Sequence, residues 1–393
     1  MIPKLHLRLV ERFRDVFGQK GEVRLYFAPG RLTFIGELID YSGGDTITAA
    51  IDRGTYLVVR KRPDSKVNIY GHSFKAKKSF TLNELEKNKE DEWAIYFKGV
   101  FSVLLEKGYK INGMDIYAYT DLPFNTSLAS SSSLCACLTY AVFDLNNLLE
   151  KTDIIDIAKL SYEGEIKYAS HRTSLSDHIT IFIGKENTLL LFNMFKMSYE
   201  YLDINFGEYC IAVVNSNKKR TSSDSEYNAR KRECDNALKK LKEKKSSIKL
   251  LTDLKPKDAD FIKETLQNKE QRRALYVSSE EDRVNQAVKA IKKGAIKDLA
   301  VLISKTHEGL SKLYEVSTAE QDILVEEASK MDGVLGARMI GTGFGGGVVV
   351  LLKKTEVENV IEALYSSYKE KTKRDADVYI VKPTNGVRML PIE

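Results

Sequence analysis

Residues 121–138 read DLPFNTSLASSSSLCACL, and this stretch decides the fold. Residues 114–119, just before it, alternate between apolar and polar side chains, which predicts a β-strand. After it, apolar residues recur with helical spacing at Leu134, Leu138, Val142 and Leu145. The stretch is therefore predicted to be the loop and helix start of a strand–loop–helix unit.

Four consecutive serines, Ser130 to Ser133, fall where this helix is expected to begin. Serine favours helix starts because its hydroxyl accepts hydrogen bonds from free backbone N–H groups. The same N–H groups, together with the helix dipole, bind anions, and nearby hydroxyls are ligands for a hard cation such as Mg²⁺. Two interpretations stay open from this stretch alone: a cradle for nucleotide phosphates, and a serine N-cap on a buried helix.

The chain of 393 residues exceeds the length at which a single hydrophobic core keeps growing, so we expect two domains. Its hydrophobic content of 43% and charged content of 30% are typical of soluble globular proteins. The composition becomes more helical and basic near residues 195–209. We therefore predict an N-terminal domain at residues 1–200 and a C-terminal domain at residues 201–393.

Composition also argues against several classes of partner. No apolar run is long enough to span a bilayer, and the N-terminal segment is mixed in charge, so we expect a cytoplasmic protein that binds no membrane. The four cysteines lack metal-ligand spacing, and reduced thiols fit the cytosol. The net charge of +6 is modest, and the lysine-rich residues 218–257 nearly lack aromatic side chains, so we expect no nucleic-acid partner.

Charged residues occur at two further places where they suggest a site. Residues 28–44, APGRLTFIGELIDYSGG, carry Arg31, Glu37 and Asp40 among glycines, which fits either a polar-ligand site or a surface turn with an ion pair. Asp177 follows a predicted helix at residues 154–169 and precedes two predicted strands at residues 179–183 and 188–192. It is either a helix cap or a catalytic carboxylate.

Familiar nucleotide and hydrolase motifs are not supported. The glycines Gly341, Gly343 and Gly346 match the spacing of a dinucleotide fingerprint, but residues 348–352 predict a strand where that motif needs a helix. The sequence contains no G-x-x-x-x-G-K-[ST] loop, no protein-kinase motif set, no G-x-S-x-G and no H-E-x-x-H.

Several segments, in order along nearly the whole chain, resemble one family. Residues 28–44 are similar to A-P-G-R-x-N-x-I-G-E-H-x-D-Y-x-G-G, and residues 122–133 to L-P-x-G-A-G-L-S-S-S-A-S. Residues 336–346 are similar to G-x-R-M-T-G-x-G-F-G-G, with weaker matches at residues 215–234 and 314–317. These are motifs of the GHMP small-molecule kinases and, within them, of the galactokinases.

The resemblance implies a two-domain α+β fold: an N-terminal domain like ribosomal protein S5 domain 2, a C-terminal ferredoxin-like domain, and an active site between them. It implies transfer of the γ-phosphate of ATP, with Mg²⁺, to the anomeric hydroxyl of galactose or a related sugar. Matched residue by residue, it implies that Asp177 is the catalytic base and that Arg31 lies near the reacting hydroxyl. It further implies that the sugar is contacted by Glu37, Asp40 and Tyr227, and that Mg²⁺ is bound by Ser131 and Glu165. The residues it places near the nucleotide are Trp93 and Tyr96 for adenine, and Ser127, Ser130, Ser131 and Ser132 for the phosphates. An arginine beside the base is expected to hold its pKa low.

The sequence departs from the family patterns at the phosphate loop and around the sugar. Asn125, Thr126 and Ser127 replace Gly-Ala-Gly, and their Cβ atoms are expected to narrow the loop or change its backbone path. Leu38 occupies the place of histidine and Ser174 that of glycine, so both are candidate substrate contacts. We therefore expect an altered sugar preference, with galacturonate, arabinose and N-acetylgalactosamine as candidates.

Two other functions stay open beside the sugar 1-kinase. One is a catalytically weak galactokinase-like sensor that binds sugar and ATP, for which the altered phosphate loop is the best support. The other is a GHMP kinase acting on a non-sugar alcohol, which the matches at Glu37, Asp40 and Tyr227 disfavour. We expect a monomer or a weak homodimer.

Overall fold

The computed structural model describes residues 3–169, 173–218 and 223–392. Within these residues the strands form two sheets with helices packed on them. The helices are α1 (Lys4–Phe17), α2 (Ile95–Glu106), α3 (Ser130–Leu145), α4 (Ile154–Tyr168), α5 (Leu175–Ile183), α6 (Ser223–Lys244), α7 (Ala259–Thr265), α8 (Asn268–Lys292), α9 (Ile296–Glu308), α10 (Ala319–Ser329) and α11 (Val357–Thr372). The strands are β1 (Arg24–Ile35), β2 (Asp45–Lys61), β3 (Lys66–Gly71), β4 (Ala76–Thr81), β5 (Met114–Thr120), β6 (Thr188–Asn193), β7 (Ser198–Asp203), β8 (Tyr209–Asn215), β9 (Val334–Met339), β10 (Gly347–Lys353), β11 (Asp377–Val381) and β12 (Arg388–Leu390).

The first sheet has the strand order β12-β1-β2-β5-β3-β4, and β6 and β7 extend it from β2. Its pairs are antiparallel except for β3 and β5, which run parallel. Helices α2, α3, α4 and α5 bury their apolar residues against one face, where Phe97, Phe101 and Phe143 belong to the core. Helix α1 covers the other face and contributes Phe13 to a smaller cluster.

The second sheet has the order β11-β8-β10-β9. Helices α10 and α11 pack on one of its faces. On the other face, residues of α6, α8 and α9 form one core with Leu32 and Ile35 of β1. This shared core holds the two sheets together and fixes the position of β1 between them. The sequence-predicted division at residues 1–200 and 201–393 stays a prediction, and β12, from the end of the described chain, pairs with β1 of the first sheet.

Most of the elements predicted from hydrophobic patterns are confirmed, and the clearest error is at residues 179–183. These residues were expected to form a strand, but they belong to helix α5, of which residues 176–183 are all buried. A segment that is apolar on every side shows no helical stripe, so periodicity alone does not separate a buried helix from a buried strand. Strands β1 and β2 are each long and continuous, over residues 24–35 and 45–61.

The glycine loop at residues 340–346 lies between β9 and β10, which confirms that it is not a dinucleotide fingerprint. Among the described helices, none is both long enough and apolar enough to cross a bilayer.

Candidate active site

Two structural units border one cavity: the first unit is the first sheet with helices α1 to α5, and the second unit is the second sheet with helices α6 to α11. The cavity has a volume of about 580 Å³. The first unit contributes β1, the loop before α3, and the start of α5, and the second contributes the start of α6 and the glycine loop after β9. Of the predicted site residues, all but Glu165 line this cavity: Arg31, Glu37, Leu38, Asp40, Trp93, Tyr96, Ser127, Ser130, Ser131, Ser132, Ser174, Asp177 and Tyr227. Residues far apart in the sequence are thus brought to one place.

An ion pair between Arg31 and Asp177 lies in the wall of the cavity. Nη2 of Arg31, on β1, contacts Oδ2 of Asp177, in the first turn of α5. Nη1 of Arg31 donates to Oγ1 of Thr33 at 3.2 Å, and the Thr173 hydroxyl donates to Asp177 Oδ2 at 3.4 Å. The N-cap of α5 is Ser174, whose hydroxyl accepts from the backbone N–H of Ser176, so Asp177 is not the cap. A carboxylate beside a guanidinium is suited to accept a proton next to a transferred anion.

Burial determines the pKa of Asp177, and our expectation that Arg31 would hold it low is wrong. Removal of water raises the pKa of the Asp177 carboxyl above its ordinary value, and the attraction of Arg31 offsets only part of this rise. For Arg31, burial lowers the pKa, but the negative charges of Asp177 and Glu37 raise it by more. The Arg31 guanidinium is therefore protonated, and the pKa of the Asp177 carboxyl lies above that of an exposed aspartate.

The residues predicted to contact the sugar form a polar group around one apolar side chain. The Ser174 hydroxyl donates to Oδ2 of Asp40 at 2.5 Å. Burial raises the pKa of Asp40, and the hydrogen bond from Ser174 opposes that rise. Leu38 has a backbone φ of 63°, in the left-handed region that leucine rarely adopts. Strain of this kind is typical of functional sites, and here it fixes an apolar side chain beside Glu37 and Asp40.

Arg338 is the site residue that the sequence interpretation missed. It lies on β9 within the third family motif, its side chain is fully buried, and its Nη2 is 3.0 Å from Oε2 of Glu37. The backbone N–H of Gly341 donates to the same oxygen at 2.9 Å. The arginine in this glycine-rich motif indicated an acidic partner nearby, but the sequence does not show that this partner is Glu37.

The loop before α3 follows a backbone path suited to glycine, although other residues occupy it. Asn125, Ser127 and Ala129 have φ values of 61°, 68° and 59°, all in the left-handed region. The buried hydroxyl of Thr126 donates to the carbonyl of Pro123 at 2.7 Å and holds the turn. These three residues thus adopt a left-handed backbone although each has a Cβ atom, and the conformation costs roughly 1–2 kcal/mol of stability for each such residue.

The serines occupy the first turn of α3 and do not cap it. The N-cap is Ala129, which has no side chain that accepts hydrogen bonds, so the serine N-cap interpretation is wrong. Ser130, Ser131 and Ser132 line the cavity. Ser133 points into the core, where it donates to the carbonyl of Ala28 at 2.8 Å. A helix start without a side-chain cap, facing a cavity, is suited to bind an anion.

Aromatic side chains line the end of the cavity near α2. Trp93 is stacked on Phe74, with ring centroids 5.2 Å apart and an angle of 5° between the planes. Phe97 contacts Trp93 edge to face, and Tyr96 also lines the cavity. Phe74 is 53% exposed, so this flat surface is accessible to a ring system from solvent. The arrangement supports the prediction that a nucleobase binds here.

Glu165 lies behind the cavity wall, on α4. It is 1% exposed, and its Oε2 is 2.6 Å from Nε2 of His178. Nδ1 of His178 in turn lies 3.0 Å from the Ser161 hydroxyl. Glu165 is close enough to Asp177 for its charge to raise the pKa of that residue.

The described part of the chain contains no group of three or more His, Cys, Asp or Glu residues placed to hold a metal ion. The hydroxyls at the start of α3 and the carboxylate of Asp177 are the oxygen donors that Mg²⁺ prefers when it also binds phosphates. Ser131, on the cavity wall, fits the predicted metal role in this respect. Glu165 directs one carboxylate oxygen at His178, so its predicted metal role has less support.

Comparison with known proteins identifies one kinase family. The galactokinase galactose-binding signature matches residues 11–61, and the N-terminal and C-terminal domains of the GHMP kinases match residues 96–185 and 287–370. The galactokinase of Fusobacterium nucleatum is 35% identical over 382 residues, which cover 96% of this chain and 98% of that protein. The galactokinase of Bacillus subtilis is 35% identical over 382 residues, covering 96% and 97%.

Solved structures of kinases also resemble this chain. A Lactococcus lactis galactokinase complexed with galactose superposes with a TM-score of 0.92 at 31% identity, covering 98% of this chain and 99% of that one. A mevalonate kinase of Methanococcus jannaschii shares the fold, with a TM-score of 0.64 at 18% identity, covering 93% and 99%. The two-domain α+β fold predicted from the motifs is confirmed. The chain belongs to the galactokinase family of the GHMP kinases and is a sugar kinase.

Proposed function

We propose that this kinase transfers the γ-phosphate of ATP to the anomeric hydroxyl of galactose or a closely related sugar, with Mg²⁺ bound to the nucleotide. The observation that carries the proposal is the buried ion pair of Arg31 and Asp177 in the same cavity wall as the start of α3. A base, a cation and an anion-binding helix start are what phosphoryl transfer to a hydroxyl requires.

In this mechanism Asp177 accepts the proton of the anomeric hydroxyl as that oxygen attacks the γ-phosphorus, and the bond from the γ-phosphorus to the β–γ bridging oxygen breaks to release ADP. Its raised pKa makes the carboxylate a better base than an exposed aspartate. Arg31 keeps Asp177 ionised and stabilises the negative charge of the transferred group. The backbone N–H groups at the start of α3, with Ser130, Ser131 and Ser132, bind the phosphates of ATP.

Mg²⁺, when bound, neutralises charge on the phosphates and holds them in line with the acceptor. Ser131 is the residue we assign to it, and Glu165, whose Oε2 contacts His178, is the second ligand that the family resemblance implies. At the other end of the nucleotide, Trp93 and Tyr96 bind the adenine ring. The sugar lies between Glu37, Asp40 and Tyr227.

Leu38 and Ser174 are the residues we expect to set the preferred sugar. An apolar side chain at position 38 leaves a sugar hydroxyl that points at it without a partner, which disfavours that sugar by about 1–3 kcal/mol. Ser174 already donates to Asp40, so it competes with a sugar hydroxyl for that oxygen. Both features favour a sugar that differs from galactose near these residues.

The test is a turnover assay of the purified protein with ATP and Mg²⁺ on a panel of sugars. The panel contains galactose, 6-deoxygalactose, arabinose, galacturonate and N-acetylgalactosamine, with glucose as a configurational control and homoserine and mevalonate as non-sugar alcohols. We expect ADP formation with at least one galacto-configured sugar and a ³¹P signal of an anomeric phosphate. Turnover of only a non-sugar alcohol, or of none of the compounds, contradicts the proposal.

The sensor function makes the opposite prediction, because it requires binding of sugar and ATP without turnover. The altered phosphate loop, with Asn125, Thr126 and Ser127, stays its best support, and the turnover assay decides between the two functions. We propose that the enzyme acts in the cytoplasm, where ATP is supplied, and its four cysteines are free thiols, as in a reducing compartment. A monomeric or weakly dimeric state, without nucleic-acid or membrane partners, stays a prediction.

A further inference from the structure

Arg338 makes an ion pair between the two units of the protein. Its guanidinium is fully buried and reaches from β9 of the second sheet to the segment that follows β1 of the first. Nη2 contacts both Oε2 of Glu37 and the carbonyl oxygen of Thr33, and Nη1 donates to the Met339 carbonyl at 2.9 Å. A buried guanidinium is stable only when paired, and Glu37 is its counter-ion.

Glu37 is held almost entirely by residues of the second unit. Gly341 donates its backbone N–H to Oε2 at 2.9 Å, and the Tyr276 hydroxyl donates to the Glu37 carbonyl at 2.7 Å. The preceding residue, Gly36, donates its N–H to Oε1 of Glu280 at 2.8 Å. Backbone and carboxylate are therefore both fixed by elements that lie more than two hundred residues away in sequence.

The same contacts extend to the reacting groups through Thr33. Its carbonyl accepts from Arg338, and its hydroxyl accepts from Nη1 of Arg31 at 3.2 Å. Arg31 in turn pairs with Asp177. Arg338 itself does not line the cavity, so any effect it has on a ligand passes through Glu37 or Thr33.

We propose that Arg338 is a positioning residue for the sugar. By fixing Oε2 of Glu37 with a charge-assisted hydrogen bond, it orients the carboxylate so that Oε1 accepts a sugar hydroxyl. The inference rests on the proposed function, in which Glu37 contacts the sugar. It further means that the sugar site is complete only when the second unit is docked on the first.

The experiment compares Arg338→Lys and Arg338→Met with a matched control, Arg273→Lys. Arg273 is also a fully buried arginine of the second unit, paired with Glu233 at 2.7 Å and with Glu315 at 2.8 Å, but it lies outside the cavity lining. Lysine keeps the charge and loses the fork geometry that contacts two acceptors at once. For each protein we measure kcat, the KM for the preferred sugar, the KM for ATP and the Tm.

We expect Arg338→Lys to raise the sugar KM about tenfold or more, because a charge-assisted bond that orients Glu37 is lost, and to leave the KM for ATP within about twofold. Arg273→Lys is expected to lower the Tm without this selective change. In a Glu37→Gln background, the effect of Arg338→Lys on the sugar KM is expected to shrink to within about twofold, because the two residues act together.

An unchanged sugar KM in folded Arg338→Lys overturns the inference. So does a parallel rise of both KM values that Arg273→Lys reproduces, since that is the result of a structural role. If Arg338→Met does not fold, the lysine variant and the double variant still decide the question. A wild-type protein that phosphorylates no sugar contradicts the proposed function itself, whereas wild-type turnover with an unaltered sugar KM in Arg338→Lys contradicts only this inference.

Discussion

Asp177 forms an ion pair with Arg31 although neither side chain exposes more than 10% of its surface. The two residues come from different elements, the first turn of α5 and strand β1, and they meet in the cavity wall. Burying an unpaired charge is costly, so each residue needs the other to stay ionised. Changes at Asp177 therefore test both its ionisation and its pairing with Arg31.

Replacement of Asp177 by Asn is expected to lower kcat by about 10²–10⁴-fold, the usual contribution of a general base. Binding of sugar and ATP is expected to persist, because the amide keeps a hydrogen-bonding group beside Arg31. Steady-state kinetics and calorimetric titration measure the two effects. Asp121→Asn is the control: that carboxylate accepts from the Gly54 N–H at 2.7 Å, lies outside the cavity lining, and its removal should leave kcat unchanged.

The acid limb of the pH profile of kcat is expected to lie above the ordinary aspartate pKa of about 3.9. Burial raises the pKa of Asp177, and the base works only when ionised, so activity falls as the pH drops through this raised value. The pKa of Asp40 is raised as well, so kcat is also measured in Asp40→Asn. A limb that persists in that variant does not come from Asp40, and a limb at or below 3.9 contradicts the assignment to Asp177.

Leu38→His is expected to shift preference toward galactose, because histidine restores a hydrogen-bonding group beside the sugar. Histidine also tolerates the left-handed backbone of φ 63° better than leucine does. The measurement is the ratio of kcat/KM values across the sugar panel. Leu38→Asn separates the reach of the imidazole from relief of backbone strain, since asparagine tolerates the left-handed backbone equally well but has a shorter side chain. Unchanged ratios in both variants remove Leu38 from the specificity argument.

Ser127→Gly is expected to raise the Tm by about 1–3 °C. Glycine relieves a left-handed strain of roughly 1–2 kcal/mol, and its greater freedom in the unfolded chain offsets about 0.5–1 kcal/mol of that gain. The control is Ala136→Gly, within helix α3, which should instead lower stability by about 1 kcal/mol. Thermal unfolding of both variants measures the change in Tm. A lower Tm in Ser127→Gly contradicts the inference that the backbone at Ser127 is strained.

Addition of ATP is expected to change the fluorescence of Trp93, which is the single tryptophan of the chain. A purine that stacks near this indole alters its emission, whereas sugar alone, at the other end of the cavity, should not. Phe74→Ala is expected to weaken ATP binding about three- to tenfold, because it removes one face of the aromatic surface. Tyr365→Ala, an exposed aromatic outside the cavity lining, is the control. An emission that ATP leaves unaltered argues against a nucleobase at Trp93.

Motif resemblance identified most of the predicted residues that line the cavity because they lie inside short sequence patterns of the family, at residues 28–44, 122–133 and 215–234. It did not identify Arg338 as a partner of Glu37, since the two lie 301 residues apart and only the packing of the sheets brings them together. The pKa of Asp177 could not be predicted for a similar reason. Its direction depends on burial, which is a property of the folded chain.

The hydrophobic pattern also predicted the wrong secondary structure where all sides of an element are buried. Residues 179–183 lacked a polar face, and their helix became visible only in the structure. The left-handed backbone at Asn125 and Ser127 could not be read from composition either, because neither residue requires a positive φ. At residues 179–183 the burial of every side, which only the folded chain shows, accounts for the error.

Strand β12 pairs with β1, with Leu390 opposite Leu25, so the edge of the first sheet is completed by residues from the far end of the chain. During synthesis on the ribosome, that edge stays open until residues 388–390 have emerged. Contacts of such long range form late and slow folding. We therefore expect the isolated N-terminal half to aggregate when expressed alone, and short C-terminal truncations that remove β12 to reduce the yield of native enzyme more than their few contacts would indicate.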